Sequence, residues 1–147
     1  MTAPSLSSET LHVSCVAKNG AAILLAGHSG AGKSDLALRL IDRGATLVSD
    51  DYTLVRRVSG RLVATAPLNI AGKIEVRGLG IIDLDRAIDV PVCLYVDLER
   101  EAPRLPDEQE LLMVAGVKLP VVAVKAHEPS APIKVELALE RFGLKPE

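Results

Sequence analysis

The sequence predicts an α/β fold in which a mixed, strand-rich sheet carries one helix directly after a glycine-rich loop and a second helix near the C-terminus. Three observations predict it. Residues 21–40, AAILLAGHSGAGKSDLALRL, pass from an apolar strand through a glycine loop into apolar residues at helical spacing. Short apolar runs divided by turn pairs such as Asn19-Gly20 and Ser59-Gly60 read as hairpins, which favours a mixed sheet over an all-parallel one. Residues 132–142 place Val135, Leu137, Ala138, Leu139 and Phe142 on a helix face expected to pack inward.

In chain order, residues 1–9 are small, polar and Ser-rich and read as a frayed tail before a single domain over 10–147. Residues 11–17 form a strand, and Lys18-Asn19-Gly20 turns it into the strand around Ile23. That hairpin would place His12 beside the strand feeding the glycine loop. The first helix starts near Gly32 or Lys33, buries Leu36, Ala37, Leu40 and Ile41, and stops at Arg43-Gly44. Residues 46–49 are a short strand ending in Asp50-Asp51, and 52–58 with 61–65 form another hairpin. Residues 66–73 read as a loop. Residues 90–97 read as a buried strand that tolerates Pro91 near its start. Residues 98–110, with Pro103 and Pro106, read as a charged surface loop with solvent-facing acids. Two further strands, 111–116 and 119–125, precede the closing helix, for which Ser130 is a candidate cap, Pro132 a first-turn residue and Gly143 the stop.

Composition narrows the function. At 147 residues, 48% of them hydrophobic but only 2% aromatic, the chain can bury one aliphatic core. A formal net charge of −2 with no run of Lys or Arg argues against a nucleic-acid partner. No apolar run is long enough to span a membrane, and the N-terminus lacks the pattern of a secretory signal, so a cytoplasmic location is expected. Cys15 and Cys93 both fall in apolar strands and read as buried free thiols of a reducing compartment.

The chemistry starts at Gly27-His28-Ser29-Gly30-Ala31-Gly32-Lys33-Ser34, which fills every fixed position of G-x-x-x-x-G-K-[ST]. Glycines let successive backbone N–H groups close on a phosphate chain, and the following helix adds its positive dipole end. Lys33 would reach the outer phosphates and the Ser34 hydroxyl would ligate Mg²⁺. Asp50 and Asp51, adjacent acids at a strand end, lie where such a site needs carboxylates for a metal and for a hydroxyl proton. In Ile74-Glu75-Val76-Arg77-Gly78-Leu79-Gly80-Ile81-Ile82-Asp83, Glu75 and Arg77 share a face if extended, as a metal ligand and an anion clamp or as a surface ion pair. His12, judged by its neighbours alone, reads as structural.

With GHSGAGKSD at 27–35, LVSDD at 47–51, IEVRGLGIID at 74–83 and Leu11-His12 upstream, the chain resembles the catalytic domain of the bacterial HPr kinase/phosphorylases from about residue 10 onward. It resembles a short form made of that domain only. The resemblance implies a P-loop nucleotide-binding fold of the phosphoenolpyruvate carboxykinase-like kind. It implies ATP and Mg²⁺ as cofactors, and phosphoryl transfer to a serine of the phosphocarrier protein HPr. By position it gives Lys33 to the phosphates, Ser34 and Glu75 to the metal, and the general base to the Asp50-Asp51 pair, with Asp51 as the base and Asp50 assisting. It makes His12 an active-site residue, and makes residues 77–83, Arg77 first, important for both reaction directions.

The chain departs from that family at residues 124–130, Val-Lys-Ala-His-Glu-Pro-Ser, where longer members carry an arginine implicated in phosphorolysis. A carboxylate cannot replace a guanidinium fork, although Lys125 or His127 could stand in as a point charge. The expectation is therefore a kinase with weak or missing phosphorylase activity. Longer members continue into a further helix that contacts the protein substrate and neighbouring subunits. They form hexamers, which leaves a homo-oligomer open here. Two alternatives share the motif: a P-loop kinase or ATPase with a different acceptor, and a nucleotide-binding sensor without turnover.

Overall fold

The computed structural model describes residues 8–105 and 109–147, and every count below refers to these. They form eleven strands and two α-helices: β1 Ser8–Leu11, β2 Val13–Lys18, β3 Ala21–Ala26, α1 Lys33–Asp42, β4 Thr46–Ser49, β5 Thr53–Val58, β6 Arg61–Thr65, β7 Lys73–Val76, β8 Gly80–Asp83, β9 Val90–Asp97, β10 Glu110–Val114, β11 Val117–Ala123 and α2 Ala131–Phe142. Nine strands join in one mixed sheet, ordered β1-β5-β6-β9-β3-β2-β4, with β11 on β9 and β10 on β11. β3 and β11 run parallel to β9, whereas the β2–β3, β2–β4, β5–β6, β6–β9 and β10–β11 pairs are antiparallel. The expected mixed sheet is thus present, with β7–β8 as a separate two-stranded ribbon.

The centre of the sheet is β9. Its sequence VPVCLYVD is apolar almost throughout because the strand is covered on both faces. On one edge it holds β3, and on the other it holds β6 near Val90 and Pro91 and β11 at Tyr95, Val96 and Asp97. Its register against β3 slips between Ala22 and Ile23, where the partners jump from Val92 to Leu94. One extra residue in a strand turns every later side chain to the opposite face. Accordingly Val90 and Val92 join the core with Leu24, Val55 and Leu62, whereas Leu94 and Val96 join the core under the helices with Leu36, Leu40 and Val135.

The helix core anchors the end of the sheet that carries the glycine loop. Leu36, Ala37 and Leu40 of α1 are buried against β2 and β3 at i, i+1 and i+4, and Arg43 ends the helix with Gly44 at φ 106°. The two helices are stapled at the surface by Arg43, whose guanidinium donates to both oxygens of Glu136 at 2.8–3.0 Å, with Lys18 3.6 Å from the same carboxylate.

Several sequence expectations need correction. Ser8 and Glu9 are strand residues paired to Arg56 and Val55, not tail; residues 1–7 lie outside the described residues, as does Pro106 of the charged loop. The 11–17 strand is broken at His12, which sits between β1 and β2 instead of on a paired strand. The 66–73 loop contains a 3-10 turn at Leu68–Ile70. Residues 74–83 form a hairpin, so Arg77 lies in its turn and does not extend the face of Glu75. In α2, Ser130 makes no side-chain cap, and Leu137 is 59% exposed because the inward stripe runs through Ala131 and Val135.

Candidate functional site

The glycine loop leaves β3 at Ala26 and enters α1 at Lys33. Gly27 has no room for a side chain: a Cβ there would stand 2.7 Å from the Ala31 Cβ. Gly32, with φ 97°, adopts the left-handed conformation that starts α1 and would bring a Cβ within 3.0 Å of Ala126. The Lys33 side chain folds back inside the loop and donates to the carbonyls of Gly27 (2.7 Å) and His28 (3.0 Å). It is 5% exposed. His28 and Ser29 close the outer rim, with the His28 ring 3.4 Å from Glu99 and bonded to the Ser29 carbonyl; the Ala31 N–H donates to the His28 carbonyl.

Asp50 and Asp51 separate into two environments. Asp50, only 7% exposed, accepts from the Ser34 hydroxyl at 2.5 Å and the Ser14 hydroxyl at 3.0 Å through Oδ1, and from the Glu75 N–H at 3.1 Å through Oδ2. Three donors on one carboxylate hold it against the motif serine. Asp51 turns outward. Its backbone takes φ 66°, a left-handed conformation that aspartate tolerates better than most residues, and its side chain is about half exposed. There Oδ1 accepts from His12 Nε2 at 2.8 Å. The His12 ring stacks on Tyr52, centroids 4.9 Å apart and planes 20° from parallel.

The fold thus brings together His12, Lys33, Ser34, Asp50 and Asp51, with the backbone of Glu75. Glu75 meets Asp50 through its N–H, and its side chain is exposed; Arg77 is exposed in the β7–β8 turn. Sequence reasoning missed two participants. Ser14 is fully buried and touches both aspartates, and the polar residue within the apolar run VSCVA was the available signal. Tyr52, directly after the aspartates, is one of three Phe and Tyr residues in the chain.

The donor set suits a hard divalent cation. Mg²⁺ takes oxygen ligands, prefers few carboxylates and completes its shell with phosphate oxygens and water. Ser34 and Asp50 supply oxygens within 2.5 Å of each other beside the loop, and among the described residues no group of three or more His, Cys, Asp or Glu forms a cage for a softer metal. Beside this centre opens a cleft of about 490 Å³, lined among others by His12, Gly27, His28, Tyr95 and Asp97. Among the described residues no helix is long and apolar enough to cross a membrane. Cys15 and Cys93 are buried free thiols, both pushed up in pKa by burial, and both outside this constellation.

A glycine loop between a central strand and a helix, on a mixed sheet, defines a P-loop α/β domain. Residues 5–144 match the family model described as HPr Serine kinase C-terminal domain, and the chain belongs to that family. Among curated relatives it is similar to the HPr kinase/phosphorylase of Clostridium tetani, 48% identical over 80 residues, covering 54% of this chain and 26% of the relative. It is also similar to that of Caldicellulosiruptor bescii, 35% identical over 128 residues, covering 78% of this chain and 41% of the relative. The matches thus span well under half the length of these relatives. Among solved structures it is similar to the Hpr(Ser) kinase/phosphatase from Coxiella burnetii, with a TM-score of 0.79 and 25% identity, covering 90% of this chain and 88% of that one.

Proposed function

We propose that this domain transfers the γ-phosphoryl group of ATP to a serine hydroxyl of HPr. The observation that carries the proposal is the division of two adjacent aspartates, Asp50 bonded to the motif serine Ser34 and Asp51 bonded to His12. One carboxylate serves the phosphates and their cation, and its neighbour serves the acceptor. The relatives named HPr kinase/phosphorylase support HPr as that acceptor.

In this reading the backbone N–H groups of residues 27–34 and the Lys33 ammonium bind the phosphate chain, and the cleft beside His12 admits the acceptor segment. Ser34 and Asp50, with Glu75 as the second carboxylate, would hold Mg²⁺, which would supply charge neutralisation at the phosphates. Asp51 accepts the proton of the serine hydroxyl as its oxygen bonds to the γ-phosphorus and the bond to ADP breaks. His12, which lines the cleft, keeps that carboxylate oriented through its ring nitrogen. The test is incubation of the purified protein with Mg·ATP and HPr. Serine-phosphorylated HPr, lost in Asp51→Asn with nucleotide binding retained, is the expected result. Binding of nucleotide without transfer to HPr would overturn the proposal, and phosphorylation of another acceptor instead would redirect it.

A further inference from the structure

A serine hydroxyl has one proton to give and two lone pairs to offer, and Ser14 spends them on different aspartates. Its O–H donates to Asp50 Oδ1 at 3.0 Å, and its oxygen accepts the backbone N–H of Asp51 at 3.0 Å. Ser14 has no solvent exposure, so both partners are fixed. The bond from Ser34 to Asp50 on one side and that from His12 to Asp51 on the other complete an unbroken chain of polar contacts: Ser34, Asp50, Ser14, Asp51, His12. The Asp51 backbone at this joint holds a left-handed conformation, φ 66°, which an L residue adopts at a cost and which persists where neighbours hold it.

We infer that Ser14 is a positioning residue that couples the phosphate-and-cation side of the site to the general base, so that occupancy at Ser34 and Asp50 is felt in the placement of Asp51 and His12. The inference rests on the kinase reading above for its catalytic consequence, but not for the coupling itself. Asp50 can shift toward a cation only if Ser14 follows or releases it, and Ser14 cannot move without disturbing the N–H that orients Asp51. The base is thereby aligned when Mg·nucleotide is bound and less sharply aligned when it is not. In β2 the flanking side chains Val13 and Cys15 pack in the sheet core, so the strand presents Ser14 as a fixed post.

Two measurements test this. The first needs no acceptor: the ¹H–¹³C resonances of the His12 ring are followed while Mg·ADP is added to the intact protein. Movement in the wild type that is abolished or at least halved in Ser14→Ala is expected; equal movement in both overturns the coupling. The second is a double-mutant cycle on transfer to HPr. Ser14→Ala is expected to lower kcat about tenfold with KM for Mg·ATP changed less than about threefold, to be largely restored by Ser14→Thr, and to cost little more when combined with Asp51→Asn. A Ser14→Ala penalty that is the same with and without the Asp51→Asn substitution would make Ser14 merely structural and overturn the inference. If Ser14→Ala does not fold, Ser14→Cys carries the same cycle. A wild type that leaves HPr unmodified refutes the kinase reading, while the His12 titration still decides the coupling.

Discussion

Asp50 and Asp51 are chemically identical and adjacent, yet their surroundings assign them different work. Asp50 is closed in by Ser14, Ser34 and the Glu75 N–H, and Asp51 is half exposed and bonded to His12, which itself lines the cleft. Replacing each by Asn should therefore separate two phenotypes. Asp51→Asn is expected to lower phosphoryl transfer by about 10²–10⁴ with nucleotide affinity nearly kept. Asp50→Asn should weaken Mg·ATP binding at least about tenfold, read by calorimetry. Equal loss of binding in both variants would refute the division. Tyr52 belongs to the same scale: its ring stacks on His12, and its hydroxyl has no part in that contact. Tyr52→Phe should keep kcat, while Tyr52→Ala should lower it severalfold, an effect that vanishes in a His12→Ala background.

Among the elements, what local pattern encodes was readable. The loop and α1 follow from the glycine spacing and from Leu36, Ala37 and Leu40, and β9 matches its apolar run residue for residue. The residues whose placement depends on distant partners were not readable. His12 reads as a strand residue by alternation, but the chain breaks there because β1 pairs with β5 while β2 pairs with β3. The turn at Arg77 is set by Gly78 and Gly80, both at positive φ, which the charge pattern of Glu75 and Arg77 concealed. Of the site, the motif residues and both aspartates were legible from type and spacing. Ser14 and Tyr52 were not, because their roles exist only once β2 and the residues after β4 meet.

At this scale the α1–α2 staple makes its own prediction. Hydrogen bonds from Arg43, aided by the charges of Arg43 and Lys18 and opposed by partial burial, hold the Glu136 carboxyl below the ordinary glutamate range. A carboxyl with a depressed folded-state pKa stabilises above its unfolded value and loses that contribution as the pH falls through the folded one. Thermal melts across the acid range should show a component of the wild-type decline that is missing in Glu136→Gln, whose midpoint near neutrality should also be lower. Identical pH profiles would refute it.

For the whole molecule, the segment 124–130 bears on the direction of the proposed phosphoryl transfer. Its residue Ala126 packs against the glycine loop, and it contains no arginine. Arg39 of α1 does reach this segment, but it is committed: its three nitrogens donate to Asp35, Glu128 O and Ala126 O. It acts as a strut tying α1 to that segment, with one N–H of each nitrogen already engaged. The reverse reaction, release of pyrophosphate from serine-phosphorylated HPr and inorganic phosphate, should therefore run far below the forward rate under matched conditions. Comparable rates would refute this account of the loop.

The forked edge of β9 has a consequence for the far end of the chain. Between the stretches held by β6 and β11, the Cys93 carbonyl accepts from the N–H of Leu144, and the Lys145 carbonyl accepts from Arg61. Residues 144 and 145 therefore bolt shut a seam in the strand paired to β3, which feeds the glycine loop. Deleting residues 143–147 should unlatch that seam, and amide hydrogen exchange should quicken first at Cys93 and Leu94, well before the outer strands β1 and β5 register any change.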